Sequence, residues 1–145
     1  THQFSLDPVS CGDLLDLFSA CGTPLLMPLA EAPGGWDGIY RLLRYFPRLP
    51  LIVTETGCWG QDRYFRPLMK TYPRFFIGMN RLETAGQIKS IVDRVGFKHL
   101  VFGSGLPRNC PGGYVLSLNR ADISEEARAA IARGNLERLL KEAAW

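Results

Sequence analysis

A chain of 145 residues that is 46% hydrophobic can bury roughly two-thirds of its unfolded surface, which suits a single domain spanning 1–145. Its 17 basic and 14 acidic residues leave a net charge of +3 and are spread along the whole length, so neither nucleic acid nor a membrane surface is an expected partner. The longest apolar runs fall well short of the about 20 residues of a membrane span, and a small-molecule substrate or a protein partner is expected instead.

The first amphipathic stretch, Asp13 to Cys21, sets Leu14, Leu15, Leu17 and Phe18 at helical spacing, and Gly22 stops it. A strand is predicted over 24–29. Trp36 to Phe46 repeats the helical pattern, Pro47 ends it, and a second strand is predicted over 49–54. Phe65 to Tyr72 is a shorter helix stopped by Pro73, ahead of a third strand over 75–79. Thr84 to Val95 places Ile88, Ile91, Val92 and Val95 on one face, with Gly96 as terminator and a fourth strand over 99–103. Thereafter the chain reads as helical to its end. Ser124 is an N-cap followed by two carboxylates, Gly134-Asn135 closes one helix and caps the next, and Leu136, Leu139 and Leu140 are its buried face.

Helices alternating with short apolar strands predict an α/β fold with a parallel sheet of about four strands. Such a sheet fits a small open arrangement or half of an eight-stranded barrel, and in either the ligand sits at the carboxyl ends of the strands. The residues that matter are then expected just after Pro28, Thr54, Met79 and Phe102. Those corners carry Glu31 and Trp36, Glu55 and Trp59, Asn80, and Ser104 with Arg108.

Four cysteines, Cys11, Cys21, Cys58 and Cys110, form no C-x-x-C pair, so reduced thiols and a cytoplasmic location are the default. No basic-then-apolar leader opens the chain and it begins at Thr1 rather than Met, from which a processed protein or a piece of a longer one is expected.

The stretch from Cys21 to Leu140 resembles the C-terminal half of an amidohydrolase-related protein, the metal-dependent hydrolase and decarboxylase group built on the TIM barrel. The likeness lies in Arg44-Tyr-Phe-Pro47 running into Leu51-Ile-Val53, in Tyr72-Pro-Arg-Phe-Phe-Ile-Gly78, and in His99-Leu-Val-Phe-Gly-Ser104 with Pro107. The tail Ile131-Ala-Arg-Gly-Asn-Leu-Glu-Arg-Leu-Leu140 is similar to the family's closing helices. The resemblance implies the C-terminal half of a TIM (β/α)8 barrel with covering helices and a helical C-terminus. It also implies a divalent metal such as zinc.

The family's metal-bearing members place histidines after the fifth and sixth strands and an aspartate after the eighth. The matching positions here are Pro28, Glu55 and Gly105. Proline and glycine side chains supply no ligand, so no residue of this chain is assigned to an ordinary zinc site and the metal site reads as degenerate. Two carboxylates alone would suit a weak oxygen-rich magnesium or calcium site.

Glu55 and Glu31 are the candidate general acid and base, weighed against solvated loop carboxylates, with Glu55 in the lead because it stands at a ligand position. Trp36 and Trp59 are candidate walls of an aromatic pocket or plain packing residues. Arg108 is a candidate carboxylate or phosphate anchor, and Asn80 a substrate-orienting group or a helix cap. Ser104 joins them as a candidate contact, although Gly103-Ser104-Gly105 is neither a nucleophile elbow nor a phosphate loop, since Leu-Pro follows it. Cys58 beside Glu55 is a remote candidate nucleophile. His99 opens a strand at the end away from the chemistry and reads as structural.

The function expected is an amidohydrolase-like hydrolase of a small polar or aromatic acid with an atypical or absent metal. The alternative is a catalytically inactive relative serving as a ligand-binding or assembly module. Half a barrel would leave unpaired edges beside Leu25 and Phe102, so the N-terminal half of a barrel or a second copy of the chain is the expected partner.

Overall fold

The computed structural model describes residues 6–57 and 60–144; the readings of Cys58 and Trp59 lie outside them. Helix α1 (Pro8–Cys21) leads into β1 (Leu25–Pro28), a short 3-10 turn (Leu29–Glu31) and α2 (Gly35–Tyr45). β2 (Leu51–Thr54), α3 (Asp62–Thr71), β3 (Phe75–Gly78), α4 (Gln87–Val95) and β4 (Leu100–Val101) repeat the alternation. Helix α5 (Pro111–Arg120) follows. A last helical run is built of α6 (Glu125–Ala129), a π-helical turn (Ala130–Gly134) and α7 (Asn135–Glu142).

The strands form one four-stranded sheet in the order β1-β2-β3-β4, every pair parallel. Each crossover is a helix, as parallel strands require. Strand residues alternate between two faces. Met27, Leu51, Val53, Phe75, Ile77 and Leu100 pack in one cluster with Ile39 and Leu43 of α2, Phe65 and Leu68 of α3 and Ile91 of α4. The opposite face carries Ile52, Phe76 and Val101, joined by Leu139 of α7. A parallel sheet with its crossover helices gathered on one side has the arrangement of half a barrel, in which the second face would line the interior.

Helix α7 lies across the amino ends of the strands. Arg138 donates to the Lys98 carbonyl at 3.2 Å, Arg74 pairs with Glu142 at 3.4 Å, and the Ala144 N–H donates to the Cys21 carbonyl at 2.8 Å. The helix thereby floors the concave face.

The expectation for the C-terminal tail needs correction. Gly134 has φ −59° and Asn135 φ −66°, both helical, so the pair neither closes nor caps a helix. The chain passes through a π-helical turn, and Asn135 spends its side chain on tertiary structure, donating to the Phe97 carbonyl at 2.8 Å and the Leu100 carbonyl at 2.7 Å. Leu139 is buried, but Leu136 and Leu140 are 36% and 43% exposed, because α7 covers only the lower part of the concave face. Helix α1 likewise buries Leu15 while Leu14 and Leu17 stay exposed.

The edge beside Phe102 also differs from expectation. The Phe102 N–H donates to the Ile131 carbonyl at 2.9 Å, and Asn135 takes the Leu100 carbonyl. The outward-facing backbone of β4 is therefore occupied by the last helical run. The other edge has no such cover among these contacts. Leu25 donates its N–H to the Pro50 carbonyl of the neighbouring strand segment, so by alternation Leu26 and Pro28 turn their backbone outward. Proline at that position sacrifices no ladder bond. The Leu26 side chain, on the concave face, is 62% exposed.

Candidate functional site

The concave face of the sheet opens into a groove of about 500 Å3. Leu26, Ile52 and Val101 of the strands, with Phe102, Leu106 and Pro107 beyond β4, give it apolar walls. Its polar rim stands at the carboxyl ends of the strands and consists of Thr54, Glu55, Asn80 and Arg108.

Four of the expected strand-end positions meet in this groove. Pro28, Glu55, Asn80 and Gly105 all line it, the outcome that parallel strands in register produce: Pro28 ends β1, Glu55 and Asn80 follow β2 and β3 within two residues, and Gly105 lies in the loop after β4. Glu55 follows β2 directly and has φ 55°, the left-handed region that a non-glycine residue occupies at a cost of order 1–3 kcal/mol. Its side chain is 21% exposed, and its carboxylate lies 3.7 Å from the Arg108 guanidinium, which is 69% exposed. Asn80, 4% exposed, accepts a long hydrogen bond from the Glu55 N–H at 3.5 Å. The next residue, Thr56, is 2% exposed, and its hydroxyl has no hydrogen-bond partner among the described residues.

Gly78 ends β3 where Asn80 and Thr54 approach most closely. A Cβ there would stand 2.7 Å from Thr54 Cγ2 and 3.0 Å from Asn80 Oδ1. Only glycine lets the buried amide sit against the neighbouring strand.

The other candidates fall outside the groove wall. Glu31 is exposed on the 3-10 turn. Trp36 is buried in the helical layer, stacked on Tyr64 with ring centroids 5.8 Å apart, and donates its indole N–H to Gln61 Oε1 at 2.6 Å. Ser104 accepts the Leu106 N–H on its hydroxyl at 3.3 Å, a local turn-forming bond. His99 Nδ1 lies 2.8 Å from the Phe75 carbonyl, which makes Nδ1 the protonated ring nitrogen and binds β4 to β3. Thr54 and Phe102 join the groove without having been singled out, because their residue types carry no distinctive chemistry in sequence.

A divalent metal requires several N, O or S donors in one shell. Among the described residues no group of three or more His, Cys, Asp and Glu comes together. Among the described residues Glu55 is the one carboxylate on the groove wall, and a guanidinium rather than a second anionic donor faces it. These residues do not by themselves fit a metal centre.

No protein-family model matches the chain, and no curated protein sequence matches it. Among solved structures it is similar to an uncharacterized TIM-barrel protein, Bb4693, from Bordetella bronchiseptica, at 20% identity and a TM-score of 0.79, over 96% of this chain and 53% of that one. It is also similar to the 5-carboxyvanillate decarboxylase LigW from Sphingomonas paucimobilis, at 17% identity and a TM-score of 0.57, over 74% of this chain and 39% of that one. A 2,6-dihydroxybenzoate decarboxylase from Rhizobium aligns at 18% identity and a TM-score of 0.59, over 77% of this chain and 42% of that one. The chain spans about half the length of the first of these structures and less of the other two. The likeness is one of fold: this chain has the architecture of half a TIM barrel, similar to that of two decarboxylases of substituted benzoic acids.

Proposed function

We propose that the groove binds a small aromatic carboxylic acid and that the chain is the carboxyl-terminal half of an amidohydrolase-like barrel. The observation that carries this reading is the Glu55–Arg108 pair at the rim of an apolar groove. An aromatic ring would gain from burial against Leu26, Ile52 and Phe102. Its carboxylate would meet Arg108, whose present contact is a 3.7 Å ion pair with one partner largely exposed. Such pairs are worth about 0–1 kcal/mol, so exchange of Glu55 for a substrate carboxylate costs little. Glu55, held by its backbone bond to Asn80, is the group placed to give or take a proton next to the bound acid. The names of two fold neighbours, both decarboxylases of substituted benzoates, support an aromatic acid over other small acids.

The second reading, a non-catalytic relative that binds a ligand or serves assembly, is favoured by Pro28 and Gly105 at positions where the resemblance calls for metal ligands. The two separate in one experiment. The chain is titrated with 2,6-dihydroxybenzoate by calorimetry and assayed for its conversion, with metal content measured by elemental analysis and Glu55→Gln as control. Turnover abolished by Glu55→Gln supports the enzyme; binding without turnover supports the ligand-binding module; absence of binding sinks both of these and leaves the assembly role.

The partner we propose is the amino-terminal half of a barrel, adding its last strand to the open edge of β1. The TIM-barrel neighbour Bb4693 is about twice the length this chain covers, which supports an amino-terminal half over a second copy; closure by either also has to displace Ile131 and Asn135 from the β4 edge, so pairing starts at β1. Chromatography of the chain alone, with hydrogen exchange read on any dimer, bears on this: a dimer that has lost the Phe102 and Leu100 bonds would be a barrel of two copies and would overturn it.

A further inference from the structure

We propose that Asn109 and Asn80 form a carboxamide pair that recognises a ligand carboxylate above Gly105, the position where the resemblance puts an aspartate. The proposal rests on the reading of the groove as an acid-binding site and adds the groups that select the acid.

Gly105 has φ 67°, a conformation that L side chains resist. The turn it begins closes through the Asn109 N–H, which donates to the Gly105 carbonyl at 3.1 Å. One turn of chain therefore folds the Asn109 side chain back over the glycine. A Cβ on Gly105 would stand 2.5 Å from Asn109 Nδ2 and 3.5 Å from Asn80 Nδ2. Two amide nitrogens thus converge on the space that a side chain at 105 would fill.

Their orientation has a cause at Asn80. Its Oδ1 accepts the Glu55 N–H, which commits the oxygen to β2 and turns the NH2 toward Gly105. A carboxamide NH2 donates and cannot accept. With the Arg108 guanidinium on the same rim, the two amide nitrogens turn donors toward the space above Gly105. An aspartate there would have been an acceptor and a base. With glycine at 105 and the Asn109 amide folded over it, the position offers neutral donors to an oxygen anion where the resemblance implies a base, and proton transfer is left to Glu55.

The test uses the 145-residue chain and two probes of nearly equal shape, benzoate and its neutral analogue benzamide, titrated while amide chemical shifts are followed. Asn109→Asp replaces a donor by an acceptor without changing size. Benzoate affinity is expected to fall tenfold or more in Asn109→Asp, with benzamide changed less than twofold. Asn109→Ala, which removes the donor without adding charge, gives an intermediate loss and keeps the comparison valid should the aspartate variant fold poorly. Gly105→Asp is expected to lose benzoate binding as well, because its side chain collides with Asn109. Benzoate affinity that stays within twofold in both Asn109 variants overturns the pair while leaving the acid-binding groove standing, provided Arg108→Ala still weakens benzoate. Wild-type protein that binds neither probe overturns both.

Discussion

The side-chain amide of Asn135 donates to the carbonyl of Leu100 at 2.7 Å, so a helix residue closes the backbone of the last strand. The same amide reaches the Phe97 carbonyl at 2.8 Å. Between them these bonds tether α7 to both ends of the turn that begins β4. Asn135 is buried, and removing its amide leaves a buried acceptor without a donor, at a cost of about 1–3 kcal/mol per group. Asn135→Ala is expected to lower stability by about 2–3 kcal/mol in urea unfolding. Hydrogen exchange at the Phe102 amide, the other bond of that edge, should accelerate with it. A variant as stable as wild type would show that the seal contributes nothing.

Trp36 was an attractive candidate for a binding wall and the structure gives it another task. Its indole donates to Gln61 and stacks on Tyr64, joining α2 to the start of α3. Trp36→Phe loses that hydrogen bond and part of the buried ring, with an expected destabilisation of about 1–3 kcal/mol. Affinity of the folded variant for benzoate should equal that of wild type. A selective loss of affinity at unchanged stability would return Trp36 to the site.

The sheet was legible because each strand is a short apolar run fenced by proline or glycine, as in Leu51-Ile-Val53 after Pro50 and Phe75-Phe-Ile77 before Gly78. Parallel order followed from the intervening amphipathic stretches, and the strand-end corners then named Glu55, Asn80 and Arg108. What failed was read from local chemistry with no knowledge of the neighbour. Gly134-Asn135 looks like a stop and a cap, yet the asparagine amide is drawn to two carbonyls of a segment more than thirty residues earlier. Asn109 is one polar residue in a loop until the turn closes it over Gly105. Leu136 and Leu140 follow helical spacing faithfully, but spacing cannot say that the surface opposite them stays open.

Gly78 and Gly103 differ in a way that a single methyl group can read out. A Cβ on Gly78 meets Thr54 at 2.7 Å and Asn80 at 3.0 Å, whereas one on Gly103 meets nothing within 4 Å. Gly78→Ala is expected to cost about 1–3 kcal/mol through overpacking and to shift the Asn80 side-chain amide resonances. Gly103→Ala should leave both nearly as they are. Equal behaviour of the two would remove the close approach of β3 to β2 as the support of Asn80.

Two tyrosines make stability depend on alkaline pH. Burial raises the Tyr114 phenol above its ordinary value, with the Glu83 carboxylate adding to it and the Arg81 backbone partly offsetting it. Burial, then Tyr64, raises that of Tyr40, which donates to the Tyr64 carbonyl at 2.8 Å. Because the folded values are raised, the stability they contribute is intact below the ordinary phenol range, near about 10. It is lost as pH climbs through the folded values, where the unfolded chain has already released its protons. Urea midpoints in reducing buffer should fall more steeply with pH above that range in wild type than in the Tyr40→Phe, Tyr114→Phe double variant. Burial raises the Cys11 thiol as well, but that contribution is common to both proteins and cancels in the comparison. Parallel slopes would exclude the two phenols as the source.

Leu26 sits on the strand whose outer backbone is uncovered among the described residues, on the face that forms the groove, and is 62% exposed. Edge strands in folded proteins are commonly protected by charge, by proline or by a covering element. β4 has the covering element in Ile131 and Asn135; β1 has Pro28 alone, which removes one N–H and leaves the backbone of Leu26 able to pair. Any association of the isolated chain should therefore run through β1. Leu26→Lys puts a charge on that edge at little cost to the fold, since an exposed side chain contributes within about 0.5 kcal/mol. Sedimentation velocity over a hundredfold range of concentration is expected to show association in wild type and a monomer in Leu26→Lys. Association that survives the substitution would locate the contact elsewhere and remove the reason for pairing a missing strand with β1.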